Sequence, residues 1–170
     1  MSDRHKRRGS VRSDRLPIIG WREWLCLPML GIDRIKAKID TGARTSAIHA
    51  FNVRPFTNDG APHVSFVVHP RQRHRRPAVE CVAEIRDERL VTSSSGHQQR
   101  RFVIEVKVSL GDHYWPIELT LADRDPLGFR MLLGREAVRR RFLIDPGRSF
   151  LAGRQSAEAL ATSYQRNPKQ

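Results

Sequence analysis

Residues 35–49 read Ile-Lys-Ala-Lys-Ile-Asp-Thr-Gly-Ala-Arg-Thr-Ser-Ala-Ile-His. Apolar residues alternate with two lysines up to Asp40, and this period of two predicts a half-buried strand. The strand leads into Asp40-Thr41-Gly42-Ala43, where the glycine allows a tight turn of the backbone. Asp-Thr-Gly alone recurs by chance, but the alternation before it and Ala-x-Thr-Ser after it strengthen the signal. The pattern therefore predicts a rigid element that delivers a carboxylate to the start of a turn.

A second informative segment is Met131-Leu132-Leu133-Gly134-Arg135-Glu136-Ala137-Val138. It predicts a short apolar strand, a glycine and then a short helix. An early strand that ends in Asp-Thr-Gly, with a late apolar-apolar-Gly-Arg segment before a helix, is the pairing that retroviral-type aspartic proteases use. Taken alone, Asp40 would be interpreted as a turn or N-cap aspartate in an ordinary β-domain.

With these segments the chain resembles the bacterial retropepsin-like proteins historically labelled "putative ATP-dependent zinc proteases". Those proteins are found beside ATP-grasp glutamate ligases that modify a ribosomal protein. The resemblance covers about residues 18–152 and implies an all-β fold, a closed retropepsin-like β-barrel with one short helix. The segments that carry it are Gly20-Trp21-Arg22-Glu23, Lys38-Ile39-Asp40-Thr41-Gly42-Ala43, Thr92-Ser93-Ser94-Ser95-Gly96-His97, Trp115-Pro116-Ile117, Met131 to Glu136 and Asp145-Pro146-Gly147-Arg148.

Alternating apolar and polar residues independently predict an all-β domain, because many short strands are separated by turns. The clearest strand turns back at Gly111-Asp112-His113 into a second apolar strand. The predicted strands are residues 18–27, 32–40, 44–49, 63–69, 78–85, 101–110, 115–122, 131–133 and 142–144, and the predicted helix is 135–141.

The 170 residues suffice for one domain with a hydrophobic core. We predict a disordered basic tail at residues 1–16, a retropepsin-like domain at 17–153 and a flexible tail at 154–170. The loop Pro70–Pro77 carries four arginines. It is either a solvated surface loop or an anion-binding rim.

The chain carries 31 Lys and Arg residues against 18 Asp and Glu residues, a net charge of +13. Such a charge favours nucleic acid, anionic lipid headgroups or a Glu/Asp-rich substrate as partners. The N-terminus has no apolar signal region and no stretch approaches 18 apolar residues, so we expect a cytoplasmic protein with no membrane partner. Cys26 and Cys81 allow one disulfide, but their apolar strand-like surroundings favour two buried thiols.

Aspartic-protease chemistry needs two carboxylates that share one proton, because like charges roughly 3 Å apart cannot both ionise. The sequence contains a single Asp-Thr-Gly, since no other aspartate precedes Thr-Gly or Ser-Gly. We therefore expect a homodimer in which Asp40 of each copy lies on the two-fold axis. One carboxylate acts as base on a water while the protonated one polarises the scissile carbonyl. The resemblance implies that Thr41 and Gly42 support this catalytic pair.

Candidate substrate-binding residues lie beside the motif and in a second segment, which resembles the flap of a retropepsin. Next to Asp40 these are Ala43 and Arg44, and Arg44 is our candidate for binding an acidic side chain. In a retropepsin a glycine-containing hairpin flap covers the substrate, and Thr92–His97 has the small hydroxyl residues and glycine of such a flap. An ordinary exposed hairpin tip is the alternative. The candidate contacts at the tip are Ser95, Gly96 and His97.

Three residues of the late segment are expected to have a structural role near the site. They are Leu133, Gly134 and Arg135, and Arg135 is expected to buttress either the dimer or the active-site loop.

No metal or cofactor is expected from the motifs in this sequence. His-Glu-x-x-His is absent, and the spacing of His63, His69 and His74 does not match a zinc site. Neither Gly-x-x-x-x-Gly-Lys-Ser/Thr nor Gly-x-Gly-x-x-Gly occurs, which disfavours ATP dependence. Gly-x-Ser-x-Gly is also absent, which removes the usual serine-hydrolase interpretation.

The function predicted from these observations is an aspartic-type peptidase, a homodimer that uses a shared Asp dyad and an activated water. The family's association implies acidic or glutamate-rich peptide tails as substrate and a ribosomal protein as partner. A non-catalytic retropepsin-fold module that binds nucleic acid or the ribosome through its basic surface is the alternative. Steep salt dependence and indifference to Asp40 substitution would favour that module. A third possibility is a retropepsin-fold adaptor without turnover.

Overall fold

The computed structural model describes residues 16–92, 95–123 and 128–152. The predicted tails at residues 1–16 and 154–170 lie outside this part of the chain, apart from Leu16. No helix in the described residues is long and apolar enough to cross a membrane.

Strands are the main secondary structure of the described residues, which also contain one short α-helix and one 3₁₀ turn at Pro28–Leu30. This confirms the predicted all-β class with a single short helix. The strands are β1 (Ile18–Gly20), β2 (Arg22–Leu27), β3 (Ile32–Asp40), β4 (Ser46–His49), β5 (Phe51–Asn58), β6 (Ala61–Val68), β7 (Val79–Glu84), β8 (Asp87–Thr92), β9 (Gln98–Leu110), β10 (His113–Ala122), β11 (Met131–Gly134) and β12 (Leu143–Asp145), and the helix is α1 (Arg135–Val138).

The main sheet closes on itself as a ring. Its strand order is β10-β4-β11-β3-β2-β9-β8, and β9 also pairs with β10. We describe it as a ringed sheet and not as a closed barrel, because β2 and β9 are joined at a single register pair, Cys26 and Ser109. β5, β6 and β7 form a separate three-stranded sheet, and β1 pairs in parallel with β12.

Strand β3 shows how the sequence pattern builds this ring. Ile35, Ala37 and Ile39 point into the core, while Lys36 and Lys38 remain half-exposed on the opposite face. Burial of a large aliphatic side chain contributes about 1.5–3 kcal/mol, so the alternation fixes which face of β3 turns inward. Asp40 ends the strand on the same outward face as the lysines.

Two strands were missed by the sequence interpretation. β5 and β8 contain no fully buried residue, and apolar alternation is confined to Phe51 and Val53 in β5, which is too short to signal a half-buried strand. β8 pairs with the first half of β9 as a hairpin, from Asp87 opposite Val103 to Thr92 opposite Gln98. β5 is held by β6. Main-chain pairing, and not side-chain burial, defines both.

Several predicted boundaries were also wrong. The predicted strand 18–27 is two strands in different sheets, because the Trp21 N–H leaves the ladder and donates to the Arg148 carbonyl at 3.0 Å. The predicted helix 135–141 ends at Val138, since Arg139 has an extended ψ of 138°.

A buried carboxylate attaches the C-terminal segment to the ring. Glu23 is fully buried, and its Oε1 accepts hydrogen bonds from the backbone N–H groups of Gly20 at 2.7 Å, Leu151 at 2.8 Å and Ala152 at 3.3 Å. A Cβ at position 20 would lie 2.5 Å from the Arg148 carbonyl oxygen, so only glycine permits this approach. The Gly20-Trp21-Arg22-Glu23 segment is thus a docking site for residues 148–152.

Both cysteines are free thiols. Cys81 is buried and Cys26 is half-buried. Burial raises the pKa of both thiols, that of Cys81 to about 11. The disulfide that the cysteine count allowed is therefore not formed in this structure, and the burial predicted for two thiols holds fully for Cys81 and in part for Cys26.

Candidate active site

The carboxylate of Asp40 is fixed by the turn that follows it. Its Oδ1 accepts hydrogen bonds from the Gly42 N–H at 3.1 Å and the Ala43 N–H at 3.2 Å. Within the described residues its Oδ2 accepts no hydrogen bond, and the side chain is half-buried. One carboxylate oxygen is thus oriented by the protein, and the other is left to a water or to a partner group.

The first residues of α1 form hydrogen bonds with the loop that follows Asp40. The backbone N–H groups of Arg135 and Glu136 donate to the carbonyls of Ala43 at 2.7 Å and Arg44 at 3.1 Å. The Arg135 guanidinium also donates, through Nη1, to the Thr41 carbonyl at 3.2 Å. Arg135 therefore contacts the active-site loop, one of the two positions that the sequence interpretation allowed for it.

Gly134 permits the close approach of the two segments that the sequence analysis paired. A Cβ at this position would lie 2.5 Å from the Thr45 carbonyl carbon and 2.8 Å from the Ser46 nitrogen. The Gly134 N–H donates to Ser46 Oγ at 3.0 Å, and the Ser46 carbonyl accepts from the Thr120 hydroxyl at 3.1 Å. Ser46, the last residue of the Ala-x-Thr-Ser segment, therefore links β4, β10 and β11. Leu133 is fully buried beside it.

Thr41, Gly42 and Arg44 are exposed at the surface of the loop, and Ala43 is half-buried. Arg44 borders a cavity of about 250 Å³ together with two glutamates. One of these glutamates is Glu118, whose carboxylate accepts two hydrogen bonds from Arg89. These bonds lower the pKa of Glu118, and the charge of Arg44 lowers it further. The residues that line the cavity are Arg44, Thr45, Ser46, Pro116, Ile117, Glu118, Glu136 and Ala137.

The predicted flap lies at the tip of the β8–β9 hairpin. Ser95, Gly96 and His97 are exposed, Gly96 has a φ of 81°, and Ser95 Oγ lies 3.1 Å from His97 Nδ1. Ser93 and Ser94 lie outside the described residues. Since β2 separates β9 from β3 in the sheet, the hairpin joins the ring two strands away from Asp40. A covering role for these three residues stays a prediction.

Cationic residues on the outward face of β2 and β3 were missed as site candidates. Lys38 precedes Asp40 by two residues, so both side chains leave the strand on one face. Arg22 is the register partner of Lys38, and Trp24 is the partner of Lys36. The period of two in Lys36-Ala37-Lys38-Ile39-Asp40 could have revealed this, because it places both lysines on the same face of the strand as the carboxylate.

Among the described residues, no group of three or more His, Cys, Asp or Glu side chains could hold a metal ion. The His63 ring packs on Phe56 with centroids 5.7 Å apart, whereas the His69 ring packs on Phe51 with centroids 4.7 Å apart. The chemistry that the site can offer on its own is that of a single oriented carboxylate.

Comparison with known proteins gives several relatives that share one name, "Probable alpha-L-glutamate ligase". The protein from Shewanella halifaxensis is 49% identical over 152 residues, which are 89% of this chain and 33% of the relative. Those from Desulfotalea psychrophila and Parasynechococcus marenigrum are 48% and 45% identical, each over 86% of this chain and 32% of the relative. The chain therefore spans about a third of the length of these curated relatives.

A solved structure shares the fold. The crystal structure of a Legionella pneumophila protein of unknown function (DUF785) aligns with a TM-score of 0.66 at 25% identity, over 80% of this chain and 98% of that one. A family model described as "Retropepsin-like aspartic endopeptidase RimB" matches residues 18–155. Since this match covers most of the chain, including Asp40 and the whole ringed sheet, the chain belongs to the RimB-like family of retropepsin-like aspartic endopeptidases.

Proposed function

We propose that the protein is an active aspartic peptidase, a homodimer in which Asp40 of each copy forms a shared dyad that activates a water. The observation that carries the proposal is the Asp40 carboxylate, which ends a rigid strand with one oxygen held by two backbone amides and the other unengaged within the described residues. Membership of an aspartic endopeptidase family supports the reaction class.

The proposed chemistry follows from the charges of the dyad. Two carboxylates that share one proton carry one negative charge between them, so one is ionised and the other protonated. The ionised member takes a proton from water as the water attacks the peptide carbonyl, and the protonated member donates a hydrogen bond to the carbonyl oxygen. The amides of Gly42 and Ala43 keep each carboxylate in the orientation that this sharing requires.

The substrate that we propose is an acidic or glutamate-rich peptide tail, with a ribosomal protein in the cytoplasm as its natural carrier. Two observations support it. The net charge of +13 attracts acidic chains. The relatives described as probable alpha-L-glutamate ligases carry a segment like this chain within a polypeptide three times as long. A peptidase that shares a polypeptide with a glutamate ligase is suited to a glutamate-containing product.

Activity is expected to depend on dimerisation, because each chain supplies one Asp-Thr-Gly. Specific activity on a glutamate-rich peptide should fall as the protein is diluted below the dimer dissociation constant. Sedimentation at the same concentrations gives the fraction of dimer for comparison. Constant specific activity in a sample that sediments as a monomer would refute the shared dyad and point to a second acid within one chain.

Arg44→Ala is expected to lower kcat/KM for a glutamate-rich peptide about tenfold or more, with a much smaller effect on a neutral peptide. A hydrogen bond to a charged group contributes roughly 1.5–3 kcal/mol, and each 1.4 kcal/mol is a factor of about ten. The measurement is kcat/KM for both peptides at low and moderate salt.

Arg54→Ala is the matched control, because Arg54 is an exposed arginine on β5 in the separate three-stranded sheet. It removes the same charge and should leave the ratio between the two peptides unchanged. Equal losses on both peptides in Arg44→Ala would instead assign Arg44 to the loop or to the cavity that it shares with Glu118 and Glu136.

A further inference from the structure

Cations and aromatic rings interleave on the outward face of β2 and β3, on the side of the sheet opposite the core. The Arg34 guanidinium lies over the Trp24 ring at 3.9 Å, and the Arg22 guanidinium lies between the rings of Trp21 at 4.7 Å and Phe150 at 5.1 Å. We call this surface the cationic face. Its residues are Arg22, Arg34, Lys36, Lys38 and Arg73 with the rings of Trp21, Trp24, Phe129 and Phe150.

The rings contact three of these cations, Arg22, Arg34 and Lys36. Trp24 stacks on Phe150 with centroids 5.6 Å apart and an interplanar angle of 19°. Lys36 Nζ lies 5.8 Å from the ring centroids of both Trp24 and Phe129. Cation–aromatic contacts restrict long side chains that would otherwise be mobile, so the positive charges are partly preorganised.

The cations of this face repel one another and are not neutralised. Burial lowers the pKa of Lys36, and the charges of Arg22 and Arg73 lower it further. Within residues 16–92, 95–123 and 128–152, none of the five cations forms an ion pair with a carboxylate. The acidic residues of β3 are Asp33, at its start, and Asp40 itself. An anionic ligand would relieve this repulsion.

The geometry of β3 points to the kind of anion. Arg34, Lys36, Lys38 and Asp40 are alternate residues of one strand, so their Cα atoms follow one another at about 6.7 Å. Alternate side chains of an extended peptide have the same spacing. Arg34 lies about 20 Å from Asp40, a span that roughly six extended residues cover.

We propose that the cationic face is a second binding site, which holds the acidic side chains of an extended peptide whose scissile bond lies at Asp40. The proposal rests on the peptidase function proposed above and extends the substrate contacts beyond the Asp40 loop. An acidic peptide fits better than single-stranded nucleic acid, which needs free aromatic faces for base stacking. Here one face of Trp24 is covered by Arg34, and Phe150 stacks on the ring as well.

The test measures peptide binding. It is carried out in the Asp40→Asn variant, so that the peptide is not cleaved during the measurement. Arg34→Gln with Lys36→Gln is introduced into Asp40→Asn protein, and the dissociation constant for a fluorescent twelve-residue acidic peptide is measured by anisotropy. We expect binding to weaken about tenfold or more. A four-residue acidic peptide, too short to reach from Asp40 to Arg34, should bind with unchanged affinity. Circular dichroism and thermal unfolding confirm that each variant is folded.

The matched control is Lys107→Gln with Arg141→Gln. These two cations also lie over aromatic rings, Lys107 at 5.4 Å from Tyr114 and Arg141 at 5.7 Å from Trp115, and neither belongs to the cationic face. The control pair removes the same charge and should change the affinity for the long peptide less than twofold.

Three results would overturn the proposal. Unchanged binding of the long peptide by the Arg34/Lys36 variant would do so, and so would an equal loss for the long and short peptides. Tighter binding of single-stranded RNA than of the acidic peptide, lost in the same variant, would make the face a nucleic-acid site. Failure of the peptidase proposal alone would give a different result, because the wild-type protein would then bind the long peptide through this face and leave it uncleaved.

Discussion

Asp40→Asn is expected to abolish hydrolysis of acidic peptides while the fold survives. Asparagine retains the Oδ1 that accepts the N–H groups of Gly42 and Ala43, so the loop after β3 should keep its shape. It cannot take a proton from water, and a general base contributes about 10² to 10⁴-fold to the rate. The measurement is kcat on a glutamate-rich peptide, with circular dichroism as the check of folding.

Asp145→Asn is the matched control for this substitution. Asp145 also ends a strand, and its Oδ1 accepts the Gly147 N–H at 2.8 Å, so the local turn resembles that at Asp40. Its carboxylate pairs with Arg148. The Asp145 variant should retain activity. The aspartic mechanism would be refuted if a folded Asp40→Asn protein hydrolysed the peptide at the wild-type rate. A retropepsin-fold binding module would then be the better interpretation.

Gly134→Ala is expected to lower the free energy of unfolding by about 3 kcal/mol, toward the upper end of the range for overpacked sites. The new Cβ would lie 2.5 Å from the Thr45 carbonyl carbon and 2.7 Å from its oxygen. Both are backbone atoms, so neither can rotate away. For a protein of this size the midpoint of thermal unfolding should fall by roughly 6–12 °C. Activity should fall with it, because the displaced strand end carries the start of α1 that holds the Asp40 loop.

Gly147→Ala provides the comparison for this effect. At position 147 the nearest atom to a new Cβ is the side-chain oxygen of Asp145 at 3.3 Å, which can move. Its unfolding midpoint should stay within about 2 °C of the wild type. If Gly134→Ala unfolds at the wild-type temperature, the approach of β11 to Thr45 is looser than the structure shows.

The parts of the fold that the sequence predicted well are those in which one face of a strand is buried. β3 carries alternating apolar residues and β11 carries continuous ones. The turn after Asp40 was predicted from the end of the β3 pattern and from Gly42. β5 and β8 were missed because neither contains a fully buried residue and their apolar residues are too few to give a sustained period. Their existence follows from pairing with β6 and β9, which no local pattern encodes.

Within the site, contacts between distant segments were the part that could not be foreseen. The sequence paired Asp40 with the Gly134 segment through a resemblance, and the structure gives the physical link, the N–H groups of Arg135 and Glu136 on the Asp40 loop. The cationic face was hidden because its rings come from separate parts of the chain, at Trp21, Trp24, Phe129 and Phe150. Of the cationic face, only the alternating lysines of β3 were visible as a local sequence pattern.

The attachment of the C-terminal segment to Glu23 also determines when the protein can fold. Leu151 donates to a carboxylate 128 residues earlier in the chain, and β1 pairs with β12. Contacts so distant in sequence make folding slow, and a ribosome that adds about 5–20 residues per second needs roughly 6–25 s to synthesise the intervening chain. During synthesis β1 therefore lacks its strand partner, and the Glu23 carboxylate lacks the amides of Leu151 and Ala152, until nearly the whole domain has emerged.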